Sequence, residues 1–272
     1  MQQYSISPSS IFASLWHNRF LIHTLVQREI AGKYRGSFVG LLWAFFNPVF
    51  MLLVYTFVFS VVFKARWSAG SDSKSEFALV LFAGLIVFNL FAECIGRAPM
   101  LILSNVSYVK KVVFPLEILP WVTLGSAFFH AGISLLVWLV AYAVTIGVPH
   151  VTVLWMPIVI IPLVLLTIGL SWALTSLGVY LRDISQLIGI VITTLMFLSP
   201  IFYPVSALPK DYQFLLFINP LTPVIQMTRE VLYWGRPPDY ALLSVSTTVA
   251  AAVAWMGYVW FQKTRRGFAD VI

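Results

Sequence analysis

Six stretches of this chain, residues 38–63, 78–103, 116–146, 151–181, 185–203 and 240–261, run almost without charge. About 20 apolar helical residues cross the hydrocarbon of a bilayer. Inside that layer no water satisfies backbone N–H and C=O groups, so only helices and closed barrels span it. Barrel strands alternate apolar and polar residues. These runs are apolar on every side, which selects helices. Composition agrees: 10% of the 272 residues are charged and 60% hydrophobic, whereas a soluble domain carries roughly 25% charge. The chain therefore reads as an all-α integral membrane protein of six transmembrane helices, a single domain over 1–272.

The third and fourth runs are longer than a span needs and are expected to tilt or to extend beyond the bilayer. Pro157 and Pro162 are expected to kink the start of the fourth. The fifth is short and ends in Ser199-Pro200-Ile201-Phe202-Tyr203-Pro204. Lysine and arginine set the orientation. Arg19, Arg28, Lys33, Arg35, Arg97, Lys110, Lys111, Arg182, Lys263, Arg265 and Arg266 fall on one side; Lys64, Arg66, Lys74, Lys210, Arg229 and Arg236 fall on the other. The richer side is expected to be cytoplasmic and to hold both termini, as an even number of spans requires. The Lys64/Arg66 pair argues weakly the other way, and Asp72 and Glu76 partly balance its loop. The first apolar run begins too late for a secretory signal, so the N-terminus is expected to be kept. The net charge of +7 is explained by this topology rather than by nucleic acid.

Three segments do not span. Residues 10–31 read as a basic amphipathic helix, with Phe12, Leu15, Trp16, Ile22, Leu25, Val26 and Ile30 at spacings of three and four. Ser9 or Ser10 is available to cap it. Such a helix before a first span belongs in the cytoplasmic interface. Residues 104–115 read as a short cytoplasmic surface helix, with Val106, Val109 and Val113 at helical spacing beside Lys110 and Lys111, closed by Pro115. As a bare segment it serves equally as a topology signal. Residues 204–239 form an external connection whose apolar run from Phe214 to Ile218 is too short to cross. Asn219-Pro220 and Thr222-Pro223 interrupt it, so a re-entrant or interfacial pair of gate helices is expected between spans five and six.

No catalytic or metal site is read. The chain has no Walker lysine motif, Gly-rich nucleotide loop or His-Glu-x-x-His site. His17, His23, His130 and His150 are scattered. The lone Cys94 excludes an internal disulfide and a cysteine-based metal site. Uphill movement of a substrate must then draw on an ion gradient or a partner. Ion-coupled carriers hold ionisable residues at the bilayer midplane, and these spans are nearly bare. Glu93 and Arg97 are the exception: four apart, they share a helix face and read either as a buried pair facing the bundle or as two groups snorkelling to the interface. Trp16, Tyr34, Trp67, Trp234, Tyr240 and Trp260 suit interfacial anchors. Within the first span Phe46 and Phe50 share one face, and Tyr55, Phe59 and Phe63 lie near another; Phe197, Phe202 and Tyr203 end the fifth. Such rings either stack on sugar faces along a conduit or pack against lipid and core.

Three stretches carry a resemblance. The first is Leu25-Val26-Gln27-Arg28-Glu29-Ile30 with Lys33-Tyr34-Arg35-Gly36-Ser37, Gly40-Leu41-Leu42-Trp43 and Asn47-Pro48. The second is Ser104-Asn105 through Val109-Lys110-Lys111-Val112 to Phe114-Pro115 and Glu117-Ile118-Leu119-Pro120. The third is Arg182-Asp183-Ile184 followed by Ser199 to Pro204. In order and spacing they resemble the membrane subunit of type-2 ABC exporters, in the branch moving O-antigen, capsule and teichoic acid, with O-antigen permeases nearest in pattern. The resemblance implies a homodimer with two separate ATPase subunits, which bind the ATP and Mg; this chain needs no cofactor. It implies that segments 10–31 and 104–115 couple to the ATPase, through Arg28, Glu29, Lys33, Tyr108, Lys110 and Lys111. It places a conduit between protomers, lined by the first and fifth spans with Phe46, Phe50, Tyr55, Phe59, Phe197, Phe202 and Tyr203. The implied cargo is a lipid-linked polysaccharide leaving the cytoplasmic (inner) membrane. Rival readings are a type-2 exporter of drugs or small lipids, a membrane-embedded transferase and an ion-coupled carrier.

Overall fold

A computed structural model describes residues 6–36, 38–63, 67, 74–110 and 114–272. Ser37, Lys64, Arg66, Asp72 and the stretch 111–113, with Lys111 and Val113, lie outside the described residues. Among the described residues all regular structure is helical. Five helices among the described residues are long and apolar enough to cross a membrane: Gly40–Phe59, Ser75–Met100, Leu116–Thr145, Val151–Tyr180 and Tyr240–Gly267.

The chain enters through α1 (Pro8–His17) and α2 (Arg19–Tyr34). The single amphipathic helix expected over 10–31 is therefore two, broken at Asn18. The Asn18 amide donates to the Ser14 carbonyl at 2.8 Å, competing with the helical ladder. Ser9 and Ser10 lie inside α1 rather than capping it; Pro8 opens the helix and supplies its fixed φ. Helix α3 (Trp43–Tyr55) contains Pro48 and continues as wide turns over Thr56–Val62, where the Phe63 amide reaches back five residues to the Val58 carbonyl. Helix α4 (Lys74–Arg97) is followed by short tight turns and the five-residue α5 (Val106–Lys110).

Helix α6 (Leu119–Thr145) and the α7 (Met156–Val159) and α8 (Ile161–Tyr180) pair make the next two crossings. Helices α7 and α8 meet at Ile160, between Pro157 and Pro162, where the i to i−4 hydrogen bonds continue through the junction. Helix α9 (Ile184–Leu198) has 15 residues, or about 22 Å, short of the roughly 30 Å hydrocarbon layer. Helices α10 (Lys210–Ile218) and α11 (Leu221–Arg229) form a hairpin, and α11 runs on in wide turns over Glu230–Trp234. Helix α12 (Tyr240–Thr264) follows, capped by Asp239, which accepts from the Ala241 and Leu242 amides; α13 (Phe268–Val271) ends the chain.

Helix α4 is the hub. Its spanning window is 83% buried, whereas that of the α3 crossing is 11% buried. A helix apolar on every side belongs inside a bundle, and Phe77 to Phe88 of α4 are buried almost without interruption. Helices α8 and α12 pack backbone to backbone. A Cβ on Gly169 would lie 2.6 Å from the Ala254 Cα, and one on Gly257 would strike the Gly169 carbonyl. Lipid supplies little apolar driving force between helices, so close approach of small residues does the work. Buried indoles are satisfied: Trp138 donates to the Leu79 carbonyl and Trp172 to the Glu117 carbonyl, at 2.8 and 2.9 Å.

Candidate functional site

Charge is gathered at two ends of the bundle. At the end bearing both termini, α2 lies across α4 and α6 and brings separate sequence segments into one network. Glu93 of α4 receives Lys33 of α2 at 3.2 Å and faces His130 Nδ1 of α6 at 2.9 Å. Arg97 meets Glu29 at 2.5 Å and Glu93 at only 3.9 Å. Glu93 and Arg97 do share a helix face and pair weakly, but the pair is not buried. Arg97 is 41% exposed, because the guanidinium turns outward to a carboxylate on α2. Arg28 donates to the Tyr108 hydroxyl at 2.7 Å, joining α2 to α5, and Tyr108 stacks on Phe114 at 4.3 Å. Burial, and secondly the Glu93 carboxylate, push the Tyr34 phenol above its ordinary range.

Of the six residues assigned to coupling, Arg28, Glu29, Lys33 and Tyr108 share this network. Lys110 ends α5, and Lys111 lies outside the described residues. A cavity of about 610 Å³ opens beside the network between α3, α4 and α6, with Asn47, Asn89, Glu93 and His130 in its wall. Nearby, Glu117 joins both termini: it accepts from Ser14 of α1 at 3.1 Å and from Arg265 at 2.6 Å, and Arg265 also donates to the Phe114 carbonyl.

The aromatic residues divide. Phe59, in the wide turns after α3, stacks on Phe202 at 5.8 Å, and Phe202 on Phe197 at 5.9 Å; Tyr55 lies 6.3 Å from Phe59. The Tyr203 hydroxyl donates to the Phe197 carbonyl. These five join the first and fifth apolar segments in one row. Phe46 and Phe50 stand apart on α3, exposed together with Leu42, Leu53 and Phe57. Helix α9 is likewise open along Leu187, Ile190, Phe197 and Leu198. The faces of α3 and α9 are thus uncovered within one chain.

The opposite end holds a residue the sequence places in an external loop. Arg229 is 4% exposed. Its Nε donates to the Val80 carbonyl at 2.9 Å, Nη1 to the Pro200 carbonyl, and Nη2 to the Ile201 carbonyl at 2.9 Å. The guanidinium lies 4.3 Å from the Trp67 ring centre. A Cβ on Gly84 would stand 2.8 Å from Nη2, so glycine makes the room. Five N–H donors in a rigid fork suit such a cluster of acceptors. One trace of this is legible in the sequence: in a helix the Pro200 carbonyl would bond the amide of Pro204, which has none. Beside it, Asn219 donates to Ser199 and accepts from the Leu221 amide, pinning the hairpin to the end of α9. Gly235 takes a left-handed φ of +65° after the wide turns, packed against His150. Tyr233 in those turns has its phenol pushed up to about 12, by burial first and by Glu76 and Tyr142 next.

Apolar helices around a buried hub, an uncovered aromatic face and ionic groups gathered at the ends among the described residues define a multi-pass membrane protein. The sequence pattern of the ABC-2 type transporter family matches residues 21–233, and the chain belongs to that family. As a permease of that family it is a non-catalytic transmembrane subunit. It is similar to the O-antigen export system permease protein RfbA of Myxococcus xanthus, at 28% identity over 260 residues, 95% of this chain and 97% of that one. Two proteins of the same name from Klebsiella pneumoniae are 24% and 23% identical over 254 and 256 residues, each match covering 93% of this chain and 95% of the relative.

Proposed function

We propose that this chain is the membrane half of an ATP-driven exporter that moves a lipid-linked polysaccharide out across the cytoplasmic membrane. The observation that carries the cargo is similarity along nearly the whole chain to permeases named for O-antigen export. Two protomers would close the path between their uncovered α3 and α9 faces. The row Tyr55, Phe59, Phe202, Phe197 and Tyr203 would offer ring faces to a sliding sugar chain. Phe46 and Phe50 would continue that lining toward the cytoplasm. Two separate ATPase subunits would bind ATP and Mg.

Six crossings are part of the reading, with α9 completing its passage through the Ser199–Pro204 turn and both termini in the cytoplasm. Helices α1 and α2 would lie in the interface, as their exposed Phe12, Trp16 and Phe20 beside Arg19 suit. The network through Arg28, Glu29, Lys33 and Tyr108 would carry ATPase motion from α2 and α5 into α4 and α6, with Lys110 and Lys111 meeting the ATPase. Helices α10 and α11 would gate the outer end. The test is reconstitution in liposomes with the partner ATPase. ATP-dependent movement of the lipid-linked glycan, lost when Lys110 and Lys111 become Glu, is expected. Movement without any ATPase would return the ion-coupled carrier or transferase readings.

A further inference from the structure

A cleft of about 570 Å³ lies at the outer end between the last turns of α11, the turn after α9 and the start of α12. Its wall includes Trp67, Ser206, Gln226, Glu230, Trp234 and Arg236. The wide turns after α11 build it. The Gly235 amide reaches back five residues to the Glu230 carbonyl, and the Arg236 amide bonds the same carbonyl at 3.0 Å. This folds Arg236 back beside Glu230, and their side chains meet loosely at 3.7 Å, 72% and 37% exposed. Such wide turns recur at functional sites. Trp67 is held by the Arg229 guanidinium and by Phe77 at 5.5 Å, and Trp234 stands edge-on to Tyr233 at 4.7 Å.

The chemistry selects a ligand. The wall is nearly balanced in charge, Glu230 and Asp239 against Arg229 and Arg236. Three of the five Arg229 N–H donors are already engaged by carbonyls. Among the described residues of the wall a phosphate or other anion finds no surplus positive charge. Two indoles offer broad apolar faces with a polar edge. A primary amide, a carboxylate and a guanidinium offer planar, two-pronged hydrogen bonding. A sugar ring has an apolar C–H face and a rim of vicinal hydroxyls, which these groups match. The volume is that of a small-ligand site.

We propose that this cleft is an external saccharide-binding site that receives the emerging glycan, with Trp67 and Trp234 stacking on sugar faces and Gln226, Glu230 and Arg236 bonding hydroxyls. It rests on the polysaccharide reading above. A filled cleft would hold exported units outside while the path behind them resets.

The test places a photoreactive amino acid at Gln226, or at the exposed Val249 of α12 as a control, in intact cells carrying the ATPase. The purified chain is then stained for glycan by periodate oxidation and hydrazide labelling. Irradiation is expected to give a glycan-bearing ladder from position 226 and none from 249. Trp234→Ala, compared at equal amounts of chain in the membrane, is expected to weaken the ladder roughly three- to tenfold. Intact export with no ladder from 226, or equal ladders from both positions, overturns the site alone. Surface glycan unchanged after loss of the gene overturns the polysaccharide reading and the site with it.

Discussion

The contact between α8 and α12 gives a prediction whose sign depends on place and not on residue type. Gly169→Ala adds one methyl carbon where the Ala254 Cα and the Val253 carbonyl oxygen would both lie 2.6 Å away. Carbon contacts settle at about 3.5–4.0 Å, so the helices must separate by about 1 Å. Both obstacles are backbone, and no rotamer change relieves them. A gap of that size forfeits a quarter to a half of each dispersion contact along the crossing. Overpacking of this kind costs about 1–3 kcal/mol, which for a chain of this length is a fall in Tm of roughly 3–10 °C. Gly132→Ala in α6 meets nothing within 4 Å. There alanine gains helix propensity, worth about 0.5–1 kcal/mol, and Tm is expected to hold or rise slightly. Thermal unfolding of the three proteins in one detergent, followed by tryptophan fluorescence, separates them. Equal Tm values for Gly169→Ala and Gly132→Ala would refute the backbone-to-backbone packing.

Other expectations concern the ends of the bundle. Arg229→Lys keeps the charge but replaces the planar fork with a point donor, leaving at least one of the Val80, Pro200 and Ile201 carbonyls unsatisfied; a loss of about 1–3 kcal/mol is expected in the same unfolding assay. Glu93→Gln removes the charge facing Lys33, His130 and Arg97, and since partly exposed pairs contribute about 0.2–1 kcal/mol each, faster hydrogen exchange over residues 19–34 is expected with little change in Tm. Breaking the Glu117–Arg265 pair with Arg265→Met is expected to destabilise, whereas adding Glu117→Gln to it should add less than Glu117→Gln does alone, as a double-mutant cycle would measure. For Tyr233, folding raises the phenol to about 12 from an ordinary value of 10.0. The folded state holds its proton more tightly, so the associated stability is complete below pH 10 and is lost as pH rises from 10 toward 12. Tyr233→Phe should remove one late step from the ultraviolet tyrosinate titration.

The spans were legible because their signal is local: an all-apolar run of sufficient length decides its solvent without reference to the rest of the chain. The position of α4 at the centre was not, since its run looks much like that of α3, and only the packing of α6, α8, α9 and α11 separates hub from rim. The break at Asn18 escaped the helical periodicity because the side chain competes with the backbone locally while the apolar spacing continues past it. The burial of Arg229 escaped the sequence because charge counting treats every arginine as wet. Its three carbonyl partners come from segments 28 to 149 residues away, and of these only the Pro200–Pro204 spacing announces a missing donor. The pairing of Glu93 with Arg97 was read from helical spacing. The stronger partners, Glu29 for Arg97 and Lys33 and His130 for Glu93, depend on how α2 and α6 lie on α4, which spacing within one helix does not encode.

The sharpest measurement of polysaccharide export by this chain is loss of the gene in its host, with separate analysis of surface glycan and of lipid-linked glycan retained in the cytoplasmic membrane. The surface glycan is expected to disappear, the lipid-linked form to accumulate inside, and the intact chain supplied in trans to restore export. Surface glycan present at its ordinary level, with no internal accumulation, would contradict export by this chain.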